Sequence, residues 1–263
     1  MATAGLFFGA DCCGCAPLRQ LHCTGAQQRS KVNNEQSIEK HSAMSSAEGV
    51  PGLRIERLRT GMHAAFRDLL RIYREAIPSS ERKDDIVLSE MLARDDYDFR
   101  VARLENSVVG FTIVKSFRGC DASLLEYMAV DRPQRGNGIG SALFRRASSA
   151  DSTTARYVLI EVEDAEEVVG VSEDTQRRRR KAFYRANGCL EVAELSYLMP
   201  TVSSERPPRM KLMVYRRDLP KVIDKIELQR WLEGIYVEVY RQSVSDVRIA
   251  QMLAAVPDPV SLR

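Results

Sequence analysis

No apolar run in this 263-residue chain is long enough to cross a bilayer, which argues against a membrane-spanning role. The opening residues 1–17 are small and mildly apolar, yet they lack the basic segment that begins a secretory signal. Cysteine is nearly missing from the body of the chain. Of six, four crowd into the first 23 residues, and only Cys120 and Cys189 lie beyond them. That is no disulfide framework, and it points to a reducing, cytoplasmic compartment. Net charge is equally thin. With 39 Lys and Arg against 36 Asp and Glu, the balance of +3 gives no argument for a nucleic-acid partner. Cys12, Cys13, Cys15 and Cys23 with His22 follow no zinc spacing, and adjacent cysteines share one tetrahedron poorly, so no metal is expected.

What is present sorts into three parts. Residues 1–50 form an extension whose second half is rich in Ser, Gln, Asn and Glu without periodicity, and it reads as disordered. A start at Met44 is an alternative reading of the same stretch. Residues 51–218 carry the pattern of an α/β domain. Leu53, Ile55 and Leu58 fall in a first strand at 53–58. Phe66, Leu69, Leu70 and Tyr73 make one face of a helix at 62–76 that Ile77-Pro78 ends, and a second helix is expected at 81–95. Strands at 98–104 and 108–117 have the spacing of a hairpin. Further strands are expected at 124–130 and 156–163, followed by an acidic loop at 164–174, a helix at 175–187 closed by Gly188, and strands at 190–199 and 209–217. Residues 219–263 turn helical again, with Ser245 placed to cap the last helix. These helices are expected to pack on the domain; dimerisation, or walling a substrate site, is the lesser expectation for them.

The stretch 124–144 organises the rest. Its strand ends at Pro133, which has no N–H for a ladder. Gly136, Gly138 and Gly140 then permit a tight turn, and Ile139, Leu143 and Ala147 begin a helix at about 139–150. A glycine-rich turn into a helix start aims several N–H groups at one spot, which suits a phosphate. A Walker loop would need a lysine that is missing here, and a dinucleotide fingerprint would need glycine where Ser141 stands.

Arg135-Gly136-Asn137-Gly138-Ile139-Gly140, preceded by Met128-Ala129-Val130-Asp131, resembles motif A of the GNAT superfamily of acyl-CoA N-acyltransferases. Phe183-Tyr184 followed by Gly188-Cys189 resembles that family's motif B, with Cys189 in place of the usual aromatic residue. The resemblance covers about residues 53–217. It implies a central mixed β-sheet flanked by helices, here with extra C-terminal helices. It implies acetyl-CoA as co-substrate, with a small-molecule or peptide amine as acceptor. By position it assigns the amides of residues 135–140 to the coenzyme pyrophosphate, the Met128 amide to the acyl carbonyl and Val130 to the pantetheine arm.

Transfer from a thioester to an amine needs the amine deprotonated, the carbonyl polarised and the leaving thiolate protonated. The resemblance gives the last role to Tyr184. Glu126, two residues before Met128 and expected on the same strand face, is the candidate base. Glu161 and Glu163 project together from the next strand and are candidates for binding the acceptor's cationic end. The run Arg177 to Lys181 reads as a solvated face, with Arg177 and Arg180 on the side of Tyr184. Two other readings stand beside this one: an acyl-CoA-binding module without catalysis, and a dinucleotide-binding oxidoreductase, for which Glu161 lies near ribose-binding distance from the glycines.

Overall fold

The computed structural model describes residues 49–150, 152–164, 171–200, 209–218 and 220–263. All of these lie in one compact unit, Ser45–Arg263. The readings made on residues 1–48, including the cysteine cluster and Met44, and most of the acidic loop fall outside the described residues.

Alternation produces the first half of the sheet. Strand β1 (Leu53–Arg57) leads into helix α1 (His63–Ala76), which buries Ala65, Leu69, Leu70, Ile72 and Tyr73. Ile77 is forced into extended backbone by Pro78, and the helix stops there. The second helix is shorter than its apolar pattern predicts: α2 spans Asp85–Leu92, after a separate 3-10 turn at Ser79–Glu81. Strands β2 (Tyr97–Leu104) and β3 (Ser107–Ser116) form the expected hairpin, closing on Leu104 opposite Ser107. Strand β4 (Ala122–Val130) pairs antiparallel with β3 and runs into the glycine turn and helix α3 (Ile139–Ala147). Strand β5 (Tyr157–Glu163) then lies parallel to β4.

Helix α4 covers Val171–Ala186, beginning four residues before its predicted start, and Gly188 follows it at φ +88°. The long strand expected at 190–199 shrinks to β6 (Leu190–Glu191), with single bridges at Val192 and Tyr197, while β7 (Met210–Tyr215) pairs with β5. The sheet order is β1-β2-β3-β4-β5-β7-β6, seven strands with one parallel pair.

The C-terminal part is not helical throughout. Strand β8 (Val222–Ile223) and strand β9 (Val260–Ser261) pair with each other, enclosing helix α5 (Lys225–Gly234), a π-helical turn at Ile235–Val239 and helix α6 (Val247–Ala254). Asp246, not Ser245, caps α6: its carboxylate accepts the Arg248 N–H at 3.0 Å, whereas the Ser245 hydroxyl is engaged with Ser243.

Helices α3 and α4 cover one face of the sheet through Leu143, Phe144, Ala147 and Tyr184. The opposite face is shared. Helices α1 and α2 cover its first half, and the C-terminal part covers its second half with Trp231, Leu232, Ile235, Tyr236 and Met252 against Leu124, Tyr157, Leu159 and Leu212. No helix among the described residues is long and apolar enough to cross a membrane.

Candidate active site

The site begins where the sheet comes apart. Parallel pairing of β4 with β5 runs only from Ala122 opposite Tyr157 to Leu124 opposite Leu159. Beyond Leu124 the two strands diverge while β5 keeps its full pairing with β7. A cleft of about 810 Å³ opens in the gap. It is lined by Glu126, Met128, Val130, Gly136, Gly138, Gly140, Glu161, Phe183 and Tyr184, among others. Arg135 also faces it, and the Arg135 guanidinium donates to the Val130 carbonyl at 3.0 Å, which ties the turn back to the strand.

At one end lies the glycine turn. Gly136 and Gly138 both have positive φ, +88° and +80°, a conformation that a Cβ would strain. Gly138 is the residue before α3, so the first amides of the helix are presented to the cleft. Ile139 buries its side chain in the core, leaving its backbone as its contribution to the turn, and Asn137 is exposed. Neither Asn137 nor Ile139 lines the cleft through the contacts described, and Glu163 does not line it either.

At the other end two glutamates face each other. A bulge in β4 sets the first. Ile113 lies opposite Tyr127 and Val114 opposite Leu125, so Glu126 is the extra residue between them. The bulge shifts the strand's alternation by one. Met128 packs with the α3 and α4 clusters, whereas Glu126 turns to the α1–α2 connection and forms an ion pair with Lys83. The shared face expected for Glu126 and Met128 is therefore not found, because that expectation assumed an unbroken strand. The Glu126 side chain is only 5 % exposed, and its Oε2 is buried with no hydrogen-bond partner among the described residues, although the Tyr97 phenol faces the same carboxylate.

Glu161 accepts hydrogen bonds from the hydroxyls of Tyr197 at 2.5 Å and Tyr240 at 2.9 Å. Burial pushes its carboxyl up to about 7, against the pull of the two phenols and of Lys83; the charge of Glu126 adds to the rise. Glu163, two residues on, is held by Arg180 and lies 3.8 Å from Arg177. The basic run on α4 is thus partly an ion-pairing face, as Lys181 likewise pairs with Glu191 at 2.8 Å.

Tyr184 sits on the cleft wall between these ends, 7 % exposed and edge-on to Phe144 at 5.6 Å between ring centroids. Burial holds its phenol above the usual tyrosine range, and Arg180 pulls it partly back. A phenol so placed stays protonated at neutral pH.

Residues 95–188 match the sequence model of the Acetyltransferase (GNAT) domain. The chain carries a GNAT acetyltransferase domain. A structure from Bacteroides thetaiotaomicron described as a GNAT-family acetyltransferase shares the fold, with a TM-score of 0.57 at 19 % identity, covering 72 % of this chain and 99 % of that one. The ribosomal-protein-S18-alanine N-acetyltransferase from Escherichia coli aligns at a TM-score of 0.47 and 15 % identity, covering 64 % and 96 % of the two chains. Ard1 from Thermoplasma volcanium aligns at 0.47 and 19 %, covering 63 % and 97 %. No curated protein matches the chain. The mixed seven-stranded sheet with flanking helices is the GNAT fold, and the family model matched by residues 95–188 is that of an acetyltransferase domain. Its C-terminal layer lies outside the matched residues.

Three residues that hold the cleft's glutamates carried no sequence signal. Lys83 stands in a connection, Tyr197 in a segment read as plain strand, and Tyr240 just past the π-helical turn. Only the folded chain brings the three to Glu126 and Glu161.

Proposed function

We propose that this domain transfers an acetyl group from acetyl-CoA to a primary amine of a small-molecule or peptide acceptor, by direct attack within a ternary complex. The observation that carries the reading is the cleft itself. It joins an amide-rich glycine turn to two half-buried glutamates, with a protonated phenol on the same wall. A pyrophosphate suits the turn because the amides of residues 135–140 converge at a helix start, where the dipole favours an anion and the glycines add no Cβ. Arg135, Gly136, Asn137, Gly138, Ile139 and Gly140 are its proposed holders. Val130 would bond the pantetheine arm, and the Met128 amide would polarise the acyl carbonyl as charge develops on its oxygen.

Glu126 is the proposed base. It takes the proton of the incoming ammonium, directly or through water, and the neutral amine attacks the thioester. The C–N bond forms, the C–S bond breaks, and Tyr184 returns a proton to the departing sulfur. Glu161 and Glu163 are proposed to attract the acceptor's positive charge, Glu161 from within the cleft and Glu163 from beside it, in competition with Arg180 and Arg177. Residues 51–218 are the proposed catalytic domain, with 219–263 as a layer built onto it. Free thiols at Cys120 and Cys189 suit a reducing, cytoplasmic setting.

The test has two steps. Calorimetric titration should give binding of acetyl-CoA and none of NAD. Thiol release across a panel of amines, amino acids and peptide N-termini should then identify the acceptor. Binding of acetyl-CoA with no thiol release from any amine would favour a coenzyme-binding module without catalysis, and NAD binding alone would overturn the reading.

A further inference from the structure

The amine position beside Glu126 already has an occupant, and it belongs to this chain. The connection between α1 and α2 is pinned from both sides. The Lys83 N–H donates to the Tyr73 hydroxyl at 2.7 Å, and the Tyr127 hydroxyl donates to the Glu81 carbonyl at 3.1 Å. This sets the Lys83 side chain, 23 % exposed, beside Glu126 of the cleft wall. Its Nζ is paired with Glu126 Oε1 and lies 5.5 Å from the Tyr127 ring centroid. Glu161, the second carboxylate, also feels its charge. An ammonium on the candidate base, flanked by an aromatic face and a second carboxylate, has the surroundings that an acceptor amine requires. The acyl carbonyl would be held by the amide of Met128, two residues further along the strand, a span of about 7 Å at the usual rise. The four-carbon stem of a lysine swings across such a distance by rotamer change.

We propose that Lys83 is a self-acetylation site of this protein, resting on the acetyltransferase reading above. Glu126 accepts a proton from the Lys83 ammonium. The neutral Nζ attacks the thioester carbonyl, the C–N bond forms as the C–S bond breaks, and Tyr184 protonates the leaving thiolate. The products are Nε-acetyl-Lys83 and coenzyme A thiol, with no other reactant. The modified side chain is neutral, so its ion pair with Glu126 is lost. Both carboxylates then lose the Lys83 charge, and an external cationic amine no longer competes with it. Self-acetylation on this account opens the acceptor site.

The full-length protein is incubated with isotopically labelled acetyl-CoA and no amine, and labelled peptides are identified by mass spectrometry. One label at Lys83 is expected, appearing with a first-order rate that does not change with protein concentration. E126Q should slow it at least tenfold, K83R should abolish the amine-free thiol release, and urea-unfolded protein should stay unlabelled at this position. Prior labelling should also remove a lag in turnover of any active amine. An unlabelled Lys83 in protein that acetylates an added amine would overturn the inference while leaving the acetyltransferase reading intact. Equal labelling in E126Q or in unfolded protein would overturn it as simple chemical acylation. Absence of both acetyl-CoA binding and thiol release would overturn the two together.

Discussion

Glu161 and Tyr184 are ionisable groups on one cleft, and desolvation favours the protonated form of each. Tyr184 keeps its proton through burial, with no carboxylate partner among the described residues. If it protonates the leaving thiolate, Tyr184→Phe should lower kcat by about 10²- to 10⁴-fold at unchanged acetyl-CoA affinity. Turnover equal to wild type would remove it from that role. Glu161 shows its environment in stability. In the fold its carboxyl titrates at about 7, against an unperturbed 4.5. Between these values the folded state keeps a proton that the unfolded chain has released, so this group's contribution to stability falls as pH rises through that window. Glutamine does not titrate. The stability of E161Q relative to wild type should therefore improve from pH 4 to pH 8, by about 3 kcal/mol at the upper end. Urea unfolding at each pH measures this, and a difference that stays flat would show that Glu161 is not held protonated.

At the scale of elements, the C-terminal layer is fitted to the sheet closely enough to override helix propensity. Gly234 ends α5, and a Cβ there would lie 2.9 Å from Cδ2 and 3.0 Å from Cγ of Phe117. Alanine in a helix is ordinarily better than glycine by about 1 kcal/mol. Here the Phe117 ring is part of the buried cluster and presents its base, not a flexible tip, so overpacking at about 1–3 kcal/mol outweighs the gain. Gly234→Ala should thus lower the midpoint of thermal unfolding, and a rise would mean that α5 can shift on the sheet. The helices were legible where apolar spacing ran for several turns, as in α1 and α3. The second helix was overread because Ile86, apolar in the pattern, is 74 % exposed in the fold. The strand at 190–199 was overread because its apolar side chains are buried by irregular backbone that pairs with β7 and the chain's last residues.

At the scale of the whole molecule, one tryptophan reports on how the layers join. Trp231 is fully buried, 4.9 Å between ring centroids from Tyr157 of β5, in a cluster shared by the sheet and the C-terminal part. Lys115, also fully buried, reaches from β3 to Glu238 at 2.6 Å and Asp96 at 3.3 Å, so an ion pair joins the same two layers. A core held in common should unfold in one step. Tryptophan fluorescence and far-UV circular dichroism should then give coincident denaturation curves, and an earlier fluorescence transition would show the C-terminal layer undocking by itself. The sequence alone determined the strand, the glycine turn and the helix that follows, because alternation, a proline stop and positive-φ glycines are local constraints that survive in any context. It also named the candidate carboxylates by type and position. Only the tertiary structure decided what each faces. One extra residue in β4 rotates Glu126 away from Met128, and segments 43, 71 and 114 residues from it deliver Lys83, Tyr197 and Tyr240 to the two glutamates. A bulge depends on the partner strand, and contacts between distant segments leave no periodicity in either one, so neither could be read before the chain was folded.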